Sequence, residues 1–542
     1  MKFKAFFSLC IAAGAFTTFA QTHVEGVEYF KADQFDNARE LLERNMANAN
    51  TDKAIANFYL GQIALRNGDT AKAAGYFQKG IDDNPEYGYN YVGQGEILLK
   101  KGEVKEAEKM FKTAESKVKK DPAMQVQIAR AYYNVDPVAY TKEIDKRLDK
   151  ARKINIEAPD IFIFEGDALA DQKDWGNAGT KYEMAASYNP KGSDAYVKYA
   201  NLFTQVNPEY AINMLRHLLE QNPNSALGQR ELANAYYNNK DFANAALEYG
   251  KYVKNPSHFK QDEDRYAFLL FYGQKYQDGY DFATQLLQTN PQNFTARRYQ
   301  FMNAAQLPAL KEQLLPMAEE LLAAHKANPS NKFAPIDYTL IAEEFQIAKR
   351  PDEAIAVLEE AMKENPDNAA FNKQLAMTYV DESDFAKAAD AYKGYLKKIG
   401  EPGYNDFVQQ ALFSYFAGVT NKENNPSLSE TSFNDAVTYA DKALTIMQNY
   451  KPVKIKGDVA KQRATKEEVE KAAAPLYTEA ISLLEASADP SRYAADAKEM
   501  YNYLGNYYLD QKDVAKAKEY FNKYLIYDPN NEDYRKFVES LK

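Results

Sequence analysis

One spacing limits this chain more than any other property. A small residue recurs at Ala38, Ala73 and Ala107, again at Ala178, Ala211, Ala245 and Gly279, then at Ala354, Ala388 and Ala517. Within each run the step is 34 residues or within one of it, except from Ala388 to Ala517, which lie 129 apart. A second small residue keeps pace upstream, at Gly26, Gly61, Gly95, Gly166, Ala200, Ala233, Ala342, Ala376 and Gly505. A large apolar residue trails the first series by four, at Leu42, Phe77, Phe111, Tyr182, Leu215, Tyr249, Leu358, Tyr392 and Phe521. Proline closes many units, as at Pro85, Pro190, Pro223, Pro291, Pro366 and Pro529. A unit this short cannot bury its own apolar face and must share a core with its neighbours. Length therefore says little about domain number here, although 542 residues would ordinarily suggest three or four.

The stretch ALGQRELANAYYNNKDFANAALEYGKYVKNP, residues 226 to 256, shows what each unit is. Leu232, Ala233 and Tyr236 share one helical face, and Phe242, Ala245, Tyr249 and Tyr252 form a second stripe. Between them Asp241 is placed to accept hydrogen bonds from the free amides of the second helix, and Asn255-Pro256 stops it. Each helix has about 14 residues and is roughly 21 Å long, too short to be stable alone in water. Ala233 and Ala245 let the two backbones approach closely.

This pattern resembles the tetratricopeptide repeat family, and the resemblance covers nearly all of residues 21 to 542. Aromatic residues that family members place early in the first helix stand here at Tyr91, Phe162, Tyr196, Tyr338 and Tyr501. The resemblance implies an all-α fold: a right-handed α-solenoid of about a dozen helix–turn–helix repeats, with a concave groove lined by first helices. Its packing positions are Gly61, Ala73, Gly95, Ala107, Gly166, Ala178, Ala233, Ala245, Ala342, Ala354, Ala376, Ala388, Gly505 and Ala517. The array runs over residues 21–292, passes a degenerate helical repeat at 293–334, and resumes at 335–416. Residues 417–475 read as one helical repeat carrying two insertions, GVTNKENNPSLSE and KPVKIKGDVAKQRATKEEVEKAAAP. Residues 476–542 return to the repeat and end in NEDYRKFVESLK, a charged helix suited to cap the stack.

Residues 1–20 stand apart: a basic MKFK, an apolar run, and Thr18-Phe19-Ala20 before Gln21, the layout of a cleaved export signal. Cys10 follows Leu9 inside the apolar run, which does not suit a lipid-attachment site. Cleavage would remove the only cysteine and shift the net charge from -10 to about -12. No later run is apolar for long enough to span a bilayer, so the expected product is exported, with periplasm as the expected compartment.

Reactive side chains do not cluster. His23, His217, His258 and His325 lie far apart, GQGEILLKKG lacks the third glycine of a dinucleotide loop, and QDEDRY lacks the glycine and glutamate of a calcium loop. The expectation is no catalytic residue, no metal and no cofactor. An acidic chain also argues against nucleic acid. One stretch is basic: Lys451, Lys454, Lys456, Lys461, Arg463 and Lys466, with Asp458 the only acid among them. It reads either as a grip for an acidic partner or anionic envelope surface, or as a solvated mobile loop. Polar positions off the packing stripe, Tyr89, Arg230, Asn234, Tyr237, Asn502 and Asn506, are candidates for a peptide-binding groove. Arg230 and Asn234 resemble one element of the clamp by which some tetratricopeptide proteins hold a terminal carboxylate.

Three functions remain open: a non-catalytic scaffold for protein or peptide partners, a component of envelope assembly or secretion machinery, and a glycan-handling protein that uses some of the 41 tyrosines for stacking.

Overall fold

A computed structural model of the protein describes residues 22–465, 468–487 and 489–542. The export signal, Cys10 and Lys466 lie outside the described residues. Everything described is helix and connecting turn, with no strand among the described residues. The chain forms two compact units, one ending at Leu307 and the other spanning Pro308–Lys542. Their boundary falls inside the degenerate repeat at 293–334.

In nine of the helix pairs the turn inside the repeat is built the same way. In the unit that pairs Ala226–Asn238 with Phe242–Tyr252, Lys240 has φ 59°, the Asp241 amide donates back to the Tyr236 carbonyl (2.9 Å), and the Asp241 side chain accepts from the Asn244 amide. That is a left-handed stop for one helix joined directly to a cap for the next. Left-handed residues stand at the same place, one before the second helix's cap, at Asp33, Gly68, Gly102, Lys173, Gln274, Lys349, Ser383 and Lys512. Only two of these are glycine; elsewhere the surrounding hydrogen bonds hold an ordinary side chain in that conformation.

All fourteen packing positions are buried. On the first helix of a unit the small residue lies beneath a ring from the second: Gly61 under Phe77, Gly95 under Phe111, Gly166 under Tyr182, Gly505 under Phe521. A Cβ on Gly166 would stand 2.5 Å from Tyr182 Cε1. The pairing explains why the aromatic trails the second alanine by four residues. It brings the ring around to the face that meets the first helix.

The first unit does not stay open. Its first helix, His23–Lys31, packs on Ser193–Phe203 and Ala226–Asn238 from the sixth and seventh pairs. Tyr29 meets Phe259 edge-on at 5.4 Å, and Tyr29, Leu41 and Leu42 share one core with Tyr236, Tyr249, Tyr252 and Phe259. Polar contacts line the same seam. Lys198 pairs with Asp33, Gln34 Nε2 donates to Glu231 Oε1 (2.8 Å), and Arg44 donates to the His258 carbonyl (3.2 Å). The concave side expected from the sequence therefore lines a partly open lumen here.

In the second unit the expected insertions are helices. GVTNKENNPSLSE belongs to the ends of an elongated pair, Tyr404–Thr420 and Pro426–Ile446, and KPVKIKGDVAKQR forms most of Tyr450–Arg463. The latter buries Tyr450, Val453, Ile455 and Val459 and pairs with Ala474–Glu485. Lysine at every second or third position obscured that apolar face. At the end, Glu532–Ser540 covers Phe521 with Tyr534 and Phe537, at ring distances of 5.7 and 5.4 Å. It caps the stack as its charges suggested.

Candidate functional site

The lumen of the first unit has a volume of about 460 Å³. Its wall is made from first helices: His23–Lys31, Lys53–Arg66, Pro122–Val135, Pro159–Asp171 and Ser193–Phe203, with Tyr87 and Tyr89 at the start of Tyr89–Lys100. Val24, Val27, Ile55, Val126 and Ile163 supply apolar wall, and Tyr59 with the stacked pair Tyr87 and Tyr89 (5.1 Å) supplies rings.

Charged side chains enter the same space. Arg130 Nη1 lies 2.8 Å and Lys198 Nζ 2.9 Å from Asp167, and Lys198 also pairs with Asp33. Burial opposes ionisation of Asp167, but Arg130 and Lys198 outweigh it and hold its carboxyl below the usual range. Tyr182 completes the group by donating to Asp167 Oδ1 (2.9 Å), which ties the lumen wall to the Gly166 packing contact. Elsewhere on the wall Gln62 and Asn134 donate to the buried Glu96 (3.2 and 3.1 Å), whose carboxyl is raised by burial against the pull of these donors and of Lys100 and Arg66.

Around Lys31 the balance differs. Asp160 and Asp194 stand close to it from the first turns of two neighbouring helices, and Glu28 is one turn back on its own helix. Among the described residues none of the three carboxylates has a cation in contact. Burial, then Glu25 and Asp194, push the Glu28 carboxyl up to about 7, against the Ser193 hydroxyl and Lys31. Burial also raises Asp194.

The sequence candidates fall in several places. Tyr89 lines the lumen and donates to Asp121 (2.8 Å). Arg230 lies at the seam, bonded to Asp262 (2.7 Å) and Gln34 (3.3 Å), with Asn234 donating to Glu231 beside it. Tyr237 packs among Phe242, Phe268 and Arg265. Asn502 accepts from Tyr534 in the capping helix (2.7 Å), and Asn506 is exposed. The structure does not bring these six together. From Lys451 to Arg463 the basic stretch is helical, not the loop expected, and its cations are paired, not free. Lys451 pairs with Asp496, Lys454 with Asp458 and Glu499, Lys456 with Asp441, Lys461 with Glu499 and Arg463 with Glu430, at 2.6 to 3.4 Å. All of those acids but Asp458 come from flanking segments, where a local count of charge does not reach.

Sequence reasoning missed Lys31, Arg130, Asp160, Asp167, Asp194 and Lys198. A signal existed in part: Asp160 and Asp194 are 34 residues apart, the same position in consecutive repeats.

Tetratricopeptide repeat families match residues 64–130 and 346–410, residues 23–88 and 201–258, and residues 499–531. A search of curated proteins gives no significant match. Among solved structures the chain is similar to the C-terminal part of a TPR repeat-containing protein from Cytophaga hutchinsonii, at 16% identity over 52% of this chain and 99% of that one, with a TM-score of 0.40. It is also similar to yeast Tom70, at 13% identity over 70% and 94% (TM-score 0.23), and to human IFIT1, at 14% over 92% and 94% (TM-score 0.30). The recurring small-residue contacts, the left-handed turns shared by nine helix pairs and these family matches together make the chain a tetratricopeptide repeat protein, a member of a generally non-catalytic family whose arrays serve protein–protein interaction.

Proposed function

We propose that the protein is an exported, non-catalytic scaffold of the bacterial periplasm or cell envelope, holding protein partners along the turn edge of its first unit. One observation carries this reading. At the turns inside three consecutive repeats large apolar side chains face solvent: Val138 in the first turn, Trp175 opening the helix after the second, and Val206 in the third turn with Tyr210 in the helix that follows it. Val138 is 83% and Val206 77% exposed, in turns where polar residues would fold equally well. Consecutive turns lie side by side along a stack, so these residues form one row. A rigid row of apolar anchors binds without first ordering itself. Support for export comes from the composition of residues 1–20. A place in envelope assembly or secretion machinery is compatible with the same surface. The glycan reading draws less support, because Tyr29, Tyr132, Tyr196, Tyr249, Tyr252, Tyr338, Tyr477 and Tyr501 are buried in the core.

A photo-crosslinking residue at position 175 or 206, introduced in living cells, tests this. Adducts with an envelope protein that persist in excess oligosaccharide are the expected result. Absence of any protein adduct from both positions, or release of the captured material by sugar, would overturn the reading.

A further inference from the structure

We infer that the lumen of the first unit binds a small organic cation, an ammonium group on an apolar stem seated between Asp160 and Asp194. Charge on the lumen wall balances in some neighbourhoods and not in others. Arg130 and Lys198 balance Asp167 and Asp33 through direct ion pairs. Arg66, resting on the Phe35 ring at 4.2 Å, stands opposite the charge of Glu96. What remains is Lys31 against Asp160 and Asp194, with Glu28 part-protonated near pH 7, an excess of negative charge facing the lumen.

Asp194 makes the case specific. It is 8% exposed, its Oδ1 accepts only from the neighbouring Ala195 amide, and its carboxylate faces the lumen with no cation in contact. A buried carboxylate without a partner is costly, and proteins ordinarily neutralise it or coordinate it. Here the missing partner has room to be a ligand: about 460 Å³ fits the range of small-molecule sites. The walls suit an ammonium on a stem. Tyr59, Tyr87 and Tyr89 offer ring faces that attract cations, and Val27, Ile55, Val126 and Ile163 offer contact for methylenes. Two sources carry this chemistry, a free alkyl diamine and the lysine side chain of a partner chain.

Isothermal titration of the full-length protein decides between them. The probes are cadaverine, the end-blocked peptide acetyl-Gly-Lys-Gly-amide, whose only ammonium is the lysine's, and 1-pentanol as a neutral control. Binding of either amine at about 1 mM or tighter is expected, with the probe that binds identifying the source. Asp160→Asn and Asp194→Asn should each weaken it about tenfold, while Lys31→Met, which removes a competing charge, should strengthen it. The ligand-free Asp variants should melt no lower than the parent, since each loses an uncompensated charge; this separates lost binding from lost folding. The inference is overturned if neither amine binds, if 1-pentanol binds equally, or if amine binding is indifferent to both Asp substitutions.

Discussion

Replacing Gly166 with alanine tests the packing rule where it is most exposed to failure. On propensity alone the change should help, since alanine in a helix interior is about 1 kcal/mol better than glycine. The structure predicts the opposite. The new Cβ would lie 2.5 Å from Tyr182 Cε1, 2.8 Å from Cδ1 and 3.1 Å from Cζ, so the ring must move. Overpacking of that kind costs about 1–3 kcal/mol. Moving the ring also strains the Tyr182–Asp167 hydrogen bond, worth about 1 kcal/mol. The sum is a net loss of about 2 kcal/mol. Gly75 is the control: it sits inside Thr70–Asp83 with nothing within 4 Å of its notional Cβ, so Gly75→Ala should gain about 1 kcal/mol. Equilibrium urea unfolding followed by far-ultraviolet circular dichroism reads both. With a slope of about 3 kcal/mol/M, Gly166→Ala lowers the midpoint by about 0.7 M, while Gly75→Ala raises it by about half that. In a Tyr182→Ala background the ring is gone, and Gly166→Ala should become neutral or favourable. Equal losses at residue 166 in both backgrounds, or a loss at Gly75 matching that at Gly166, would refute the reasoning.

Three further outcomes follow from charge and capping. Glu28 ordinarily titrates at 4.5 but at about 7 in the fold, so between those values the folded state holds the extra proton and stability declines as pH rises. Glu28→Gln should remove that decline and be more stable than the parent by about 2–3 kcal/mol at pH 8 but not at pH 4, in urea titrations at the two pH values. Lys454 lies 3.0 Å from Asp458 and 2.7 Å from Glu499, so Lys454→Met leaves the buried Asp458 without a cation and Glu499 with Lys461 alone, and should cost about 3–5 kcal/mol at pH 7, less at pH 5, by the same titrations. Ending the chain at Asp528 removes the helix over Phe521, which is otherwise fully buried; size-exclusion chromatography should show aggregation, where a monodisperse monomer would contradict the capping role.

The fold was legible because repetition averages out ambiguity. Gly166 alone means little, but Gly61, Gly95, Gly166 and Gly505 in phase with Phe77, Phe111, Tyr182 and Phe521 specify a contact that the structure shows. Tyr450–Arg463 was not legible, since Lys451, Lys454 and Lys456 interrupt the apolar stripe and, Asp458 apart, their acidic partners lie outside it at residues 441, 496 and 499. The lumen failed to show for a related reason. Asp33 and Lys198 are each unremarkable surface residues until a contact 165 residues long brings them together. Periodicity reports what neighbours do to one another, and the seam joins units that are not neighbours.

That seam changes how the first unit can be altered by evolution. A linear array tolerates gain or loss of a module, because each interface involves only adjacent modules. Once Tyr29 must reach Phe259, the tally of modules between them becomes fixed, and duplicating or deleting one would leave both rings in water. Assembly is tied in the same way: the opening helix cannot settle until residues some two hundred positions downstream exist, so its burial comes late and depends on distant contact.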